Sequence, residues 1–197
     1  MYTPDEYKKL TRKYGHFASW AIWDYKDEGN TSIITQKFNE LHSKFVLLGL
    51  NISGPLPREP WLNFHGGSIH DRKLKFACND TLLRGAYMTD IFKGFEEVQA
   101  AMLSRSLTED IIRSNVNQFN EEMRDIKIGE DSKFIIFGSH AAKYFNRYFR
   151  YGYKNEIVYY CHYSYYGISD RKWVEELWNK LGTHDNFDNM INKYRRS

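Results

Sequence analysis

The stretch Lys44-Phe45-Val46-Leu47-Leu48-Gly49-Leu50-Asn51-Ile52-Ser53 is an apolar run that ends in glycine, asparagine and serine. A continuous run of this kind suits a strand covered on both faces by helices, because a strand with one wet face would alternate. Three more runs follow: Gly85-Ala86-Tyr87-Met88-Thr89, Phe134-Ile135-Ile136-Phe137-Gly138 and Ile157-Val158-Tyr159-Tyr160-Cys161. Helical stretches are predicted between and after them, over 72–83, 107–126, 139–149 and 169–181. Thr108-Glu109-Asp110 opens the second, Ser139 caps the third, and Ser169 caps the fourth, whose Val174, Leu177, Trp178 and Leu181 share one face. Strands alternating with helices predict an α/β fold, a three-layer α/β/α sandwich around a central four-stranded parallel sheet.

Ahead of the first run the chain reads as helical. Thr3-Pro4-Asp5-Glu6 is a helix start, and Tyr7, Leu10, Tyr14, Phe17, Ala18, Ala21 and Ile22 follow near helical spacing. A second helix is predicted over 34–43, with Ile34, Phe38 and Leu41 on one face. No linker or repeat divides the 197 residues, so one domain is expected: N-terminal helices over 1–43, an α/β core over 44–182 and a C-terminal extension over 183–197.

Hydrophobic residues make up 42%, which predicts a folded globular chain. Aromatics reach 17%, enough to serve either packing or base stacking. The net charge of +3 permits a polyanionic partner without requiring one. Cations gather at Arg147, Arg150 and Lys154 and at the tail residues Lys193, Arg195 and Arg196, where a solvated surface is the plain reading. Cys78 and Cys161 form no CxxC pair and sit among apolar neighbours, which suggests buried thiols. The polar opening MYTPDEYKKLTRKYG does not read as a signal peptide. No apolar run approaches the roughly 20 residues of a membrane span. A cytoplasmic location without a membrane partner is expected.

Sites in parallel α/β sheets lie at the carboxyl ends of the strands. Asn51 ends the first run, and the loop beyond it carries Trp61, Asn63, Phe64 and His65. Thr89 and Asp90 follow the second run, Gly138, Ser139 and His140 the third, and His162 and Ser164 the fourth. No GxxxxGK[ST] cradle and no GxGxxG turn is present, so nothing points to a nucleotide cofactor and none is expected. His65-Gly66-Gly67 has no GxSxG elbow to complete a hydrolase site. His65, His70 and Asp71 lack a compelling ligand spacing, so no metal is expected. Each rim group also has a purely structural use: Asn51 and Asp90 as loop or helix caps, His162 as a core imidazole, Phe64 and Trp61 as packing.

The order of these groups resembles the uracil-DNA glycosylase superfamily over roughly residues 44–182. Gly49-Leu50-Asn51 resembles its first motif, Gly-x-Asp or Gly-x-Asn commonly followed by proline. His162-Tyr163-Ser164 resembles its His-Pro-Ser motif ahead of a short loop and helix. Ala86–Gly94 looks like the strand and turn that read the base. Gly138-Ser139-His140-Ala141 looks like a Gly-x-x-Ala pattern at a strand–helix junction.

The resemblance implies hydrolysis of the N-glycosidic bond of a modified or mismatched base in DNA. By position, Asn51 would order the attacking water and His162 would stabilise charge on the leaving base. Phe64, or Trp61 in its stead, would stack on a flipped base, with Asn63 beside it and Asp90 reading its edge. Ser164 would hold a phosphate and Tyr166 would fill the vacated stack. DNA is the implied partner, with a free nucleobase or nucleoside as a smaller ligand. The sequence names no protein partner. Ile52-Ser53 and Tyr163 stand where the family has proline, and Asp90 stands where an amide suits uracil. A carboxylate only accepts hydrogen bonds, so it favours an exocyclic amine over the uracil carbonyl unless it is protonated. The same departures suit a catalytically silent module that retains the fold and binds nucleic acid or a protein.

Overall fold

The computed structural model describes residues 2–24, 26–27, 29–52, 59–65, 71–79, 81–93, 107–183 and 186–196, the last four of these as backbone only. One five-stranded mixed sheet runs through it: β1 (Ser19–Trp20), β2 (His42–Asn51), β3 (Ala86–Phe92), β4 (Lys133–Phe137) and β5 (Ile157–Tyr160), in the order β1-β3-β2-β4-β5. The pairs β3–β2, β2–β4 and β4–β5 are parallel, and β1 pairs antiparallel with β3 through Ser19↔Met88 and Trp20↔Tyr87.

The antiparallel edge corrects the four-stranded expectation and the all-helical reading of the N-terminus. Helix α1 (Pro4–Tyr14) starts where Thr3-Pro4-Asp5-Glu6 predicts, and a capping box closes it: Glu6 N–H donates to Thr3 Oγ1 at 3.3 Å, and Thr3 N–H donates to Glu6 Oε2 at 2.8 Å. It stops at Gly15, where a Cβ would stand 2.5 Å from the Thr11 carbonyl oxygen. Beyond it Phe17, Ala18, Trp20, Ala21 and Ile22 are buried, too continuous for one helical face. The expected second helix is broken as well. Helix α2 covers Ser32–Gln36, a 3₁₀ turn covers Phe38–Glu40, and β2 starts at His42.

Helices cover both faces. α1, α4 (Glu109–Asp125), α5 (Ser139–Tyr144) and the π-helical turn Phe145–Phe149 lie over Val46, Leu48, Tyr87, Ile91, Phe134 and Ile136. α3 (Arg72–Cys78), α6 (Asp170–Lys180) and α7 (Phe187–Arg196) lie over Leu47, Met88, Ile135, Phe137, Val158 and Tyr160. Successive residues of each central strand thus enter opposite cores, which is why these strands read as continuous apolar runs. Thr108 and Ser169 cap α4 and α6 as expected, whereas α5 is capped by Gly138 at φ +91°, with Ser139 its first residue. Helix α7 occupies the stretch read as an extension. Cys78 is buried, and Cys161 is only partly so. Among the described residues no helix is long and apolar enough to cross a membrane.

Candidate active site

Strands β2 and β3 run side by side with Gly49 opposite Asp90. Asp90 lies inside β3, which continues to Phe92, and not after the strand as its sequence position suggested. Its carboxylate crosses the α-carbon of Gly49: a Cβ there would stand 2.2 Å from Asp90 Oδ1 and 3.8 Å from Phe64 Cε1. Asp90 is 4% exposed, and Asn63 Nδ2 donates to its Oδ2 at 3.3 Å. Burial pushes its carboxyl up to about 7, against the opposing pull of the Lys93 charge and the Asn63 amide. Lys93 donates to the Asp90 main-chain carbonyl and pairs at 2.7 Å with the fully buried Glu122, which also accepts from Tyr87 Oη at 2.7 Å.

The turn at 59–65 delivers the other two groups. Trp61 is in the core at 1% exposure, packed on Tyr7 and Trp20, and its indole donates to Tyr7 Oη at 3.1 Å. It holds φ +67°, a region costly for a side chain with a Cβ. Its N–H bond to the Gly15 carbonyl and its carbonyl's bond from Ser19 Oγ pin the turn there. Trp61 is therefore an anchor for the turn, which corrects its expected use as a stacking surface. Two residues on, Asn63 donates to the Phe17 carbonyl at 2.7 Å as well as to Asp90. Phe64, at φ +69° and half-buried, lays its ring beside Gly49 and Asp90. His65 is buried, stacked on Trp23 and bonded through Nε2 to the Trp20 carbonyl; burial lowers its imidazole to about 4. His70, weighed with it as a ligand, lies outside the described residues.

At the end of β5, Ser164 holds His162 twice. Its main-chain N–H donates to Nδ1 at 3.2 Å and its hydroxyl meets the same atom at 2.7 Å. An Nδ1 that accepts from a backbone N–H carries its ring hydrogen on Nε2. The serine hydroxyl thus serves the imidazole. Tyr163 stacks on His162 with centroids 4.2 Å apart and packs edge-on to Phe137. Burial, with the fields of Asp90 and Asp71, holds its phenol well above the ordinary range, so it is a neutral O–H near Asp90. The sequence shows Tyr163 only as the residue standing in place of the motif's proline; the structure sets its ring on His162. Tyr166 is 76% exposed on the same loop.

Asn51 ends β2 and donates through Nδ2 to the Ile52 carbonyl at 3.0 Å. Strand alternation puts Asn51 on the face of Leu47 and Gly49, and Asp90 on the face of Met88, the side covered by α3 and α6. Strand β4 separates β2 from β5, so the ends that carry Asn51 and His162 are two strand spacings apart, about 10 Å. Just past the end of β4 stands Gly138, where a Cβ would approach His162 Cβ and Cδ2 to 3.5 Å. The rim gathers an amide, a buried carboxyl, an aromatic ring, a phenol and an imidazole along one sheet edge.

No protein-family model matches the chain, and a search of curated proteins returned no match.

Proposed function

We propose that this chain is a DNA glycosylase-like hydrolase that cleaves the N-glycosidic bond of a modified or mismatched base, on a fold of the uracil-DNA glycosylase type. One observation carries the reading. Asn51 ends β2, Asp90 lies two residues before the end of the neighbouring parallel β3 on the same face, Phe64 reaches Gly49 opposite Asp90, and His162 follows β5 at the same end of the sheet.

In this reading the extruded base stacks on Phe64, a contact worth about 1–3 kcal/mol. Asp90, fixed by Asn63, meets its polar edge. The bond from C1′ to the base nitrogen breaks with its electron pair passing to the base. The His162 Nε2–H donates to the oxygen where that negative charge collects. Asn51 orders a water whose oxygen bonds to C1′ as the water gives up a proton to solvent. An amide orients that water without taking its proton, so the rate rests more on stabilising the departing base. Near neutrality the Asp90 carboxyl exists in both forms, so it can meet an amino group as a carboxylate or a carbonyl as an acid.

The test is release of free base from single- and double-stranded oligonucleotides bearing uracil, hypoxanthine, xanthine or an alkylated base. Release by the wild-type protein and its loss in His162→Ala support the reading. No release, or equal release by His162→Ala, overturns it. A second reading, a silent module of the same fold, is favoured by the Asn51 amide's own bond to the Ile52 carbonyl and by Tyr163 in place of proline. DNA binding without turnover would select it.

A further inference from the structure

Between Ser139 and Asn155 the chain carries four cations, Lys143, Arg147, Arg150 and Lys154, six aromatic residues and no acid. The segment folds as α5, the π-helical turn and the loop before β5. Ala141, Phe145 and Phe149 are buried, the two phenylalanines against Phe119. The opposite side, His140, Lys143, Arg147 and Tyr151, is exposed, with Tyr151 98% exposed. Four residues spaced three, four and four apart form one stripe of roughly 15 Å.

Two details separate this stripe from an ordinary solvated face. Among the described residues none of its cations has a carboxylate partner, and the nearest acid in sequence, Glu156, is paired with Lys133. Elsewhere cations are repeatedly paired: Lys13 with Glu121 and Asp125, Arg72 with Asp170, Arg84 with Glu40, Lys127 with Glu6. The aromatic groups are also preorganised. Tyr144 and Tyr148 stack at 6.2 Å and 20°, and the Arg147 guanidinium lies 5.0 Å over the Tyr148 ring. Unpaired positive charge beside flat rings suits a polyanion that also offers flat faces.

We propose that this stripe binds a single nucleic-acid strand, its phosphates on Lys143 and Arg147 and an unpaired base on Tyr151. His140, the first residue of the stripe, stands two residues after Gly138, where an added Cβ would come within 3.5 Å of His162, so a strand lying on the stripe leads to the rim. The surface is independent of base excision, because it needs only phosphates and unstacked bases.

The test is fluorescence anisotropy with short labelled oligonucleotides over a salt series. Lys143→Glu with Arg147→Glu is compared with Lys8→Glu with Lys180→Glu, an equal charge change at exposed sites off the stripe. Wild type should prefer single strands over duplex, with a slope of log affinity on log salt near −0.7 per phosphate met. The stripe variant should lose at least tenfold in affinity and about 1.4 in slope, the control less than twofold, with Tm unchanged in both. Tyr151→Ala should weaken single-strand binding and leave the slope. Equal losses in both double variants, no binding at low salt, or binding only to phosphatidylserine vesicles overturns the proposal. DNA and RNA arms show which strand is preferred. Strand binding without base release would sustain this surface while overturning the enzymatic reading.

Discussion

Lys73, at 6% exposure, donates its ammonium to the main-chain carbonyls of Tyr165 at 2.5 Å and Ile168 at 3.1 Å. One residue earlier, Arg72 Nε pairs with Asp170 Oδ2 at 2.6 Å. The first turn of α3 therefore grips the loop behind His162 at two points and the start of α6 at a third. Replacing Lys73 by methionine keeps the stem and orphans two carbonyls. A lost bond to a charged donor costs about 1.5–3 kcal/mol. The expected result is a stability loss of that order, with amide exchange rising most across 163–168. Uniform exchange over the whole chain would show that Lys73 supports the fold without holding this loop.

Gly49 is small because Asp90 lies across it. Gly49→Ala would put a methyl 2.2 Å from Oδ1, so the carboxylate must swing aside within a packed site. Overpacking of this kind costs about 1–3 kcal/mol. Base release should fall by more than tenfold, while the far-ultraviolet circular dichroism stays that of the wild type. Full activity in a folded Gly49→Ala protein would remove Asp90 from base reading.

Asp90 also predicts a pH dependence of stability. Its carboxyl rises from 3.8 to about 7 on folding, chiefly through burial. Between those values the folded state holds the extra proton, so the Asp90 contribution weakens stability as pH rises through the window. Asp90→Asn removes that titration. Its stability relative to wild type should be least below pH 3.8 and grow by up to about 4 kcal/mol above pH 7. Denaturant midpoints across this range measure the gap, and a constant gap would mean that Asp90 titrates normally.

The same group sets a substrate prediction. Below about 7 the protonated acid both donates and accepts and can meet a carbonyl; above it the carboxylate only accepts and selects amino groups. The ratio of release from carbonyl-bearing to amino-bearing bases should fall as pH rises through that value. A ratio flat in pH would place base selection elsewhere.

Much of the parallel core was legible because the central stretches of β2, β3 and β4 are buried on both faces and so lack polar alternation, and because the outward residue of edge strand β5 is itself aromatic, Tyr159. Ser19-Trp20 was not: two residues carry no period, and their apolar neighbours continue the spacing of α1 across Gly15. The places of Asn51 at the end of β2 and of His162 just past β5 were legible from the apolar runs, whereas Asp90, expected after its strand, lies within β3. Trp61 was misread because a tryptophan in a turn looks available for stacking, whereas here its ring anchors the turn in the core. The setting of Tyr163 against His162 and Phe137 was not legible, because sequence shows the lost proline but not where the phenol goes.

The Ser164–His162 pair separates an active imidazole from a structural one. Ser164→Ala removes the hydroxyl at 2.7 Å from Nδ1 but keeps the main-chain N–H at 3.2 Å, so the Nε2–H tautomer should survive with a looser ring. Nitrogen chemical shifts of the imidazole should still report hydrogen on Nε2. If the ring stabilises a leaving base, the turnover rate should drop about tenfold, the worth of roughly 1.4 kcal/mol in the transition state, with little change in the Michaelis constant. Ser164→Gly should do the same, and Ser164→Thr, which restores a hydroxyl, should recover part of the loss. A change confined to the Michaelis constant would instead assign Ser164 to holding the strand.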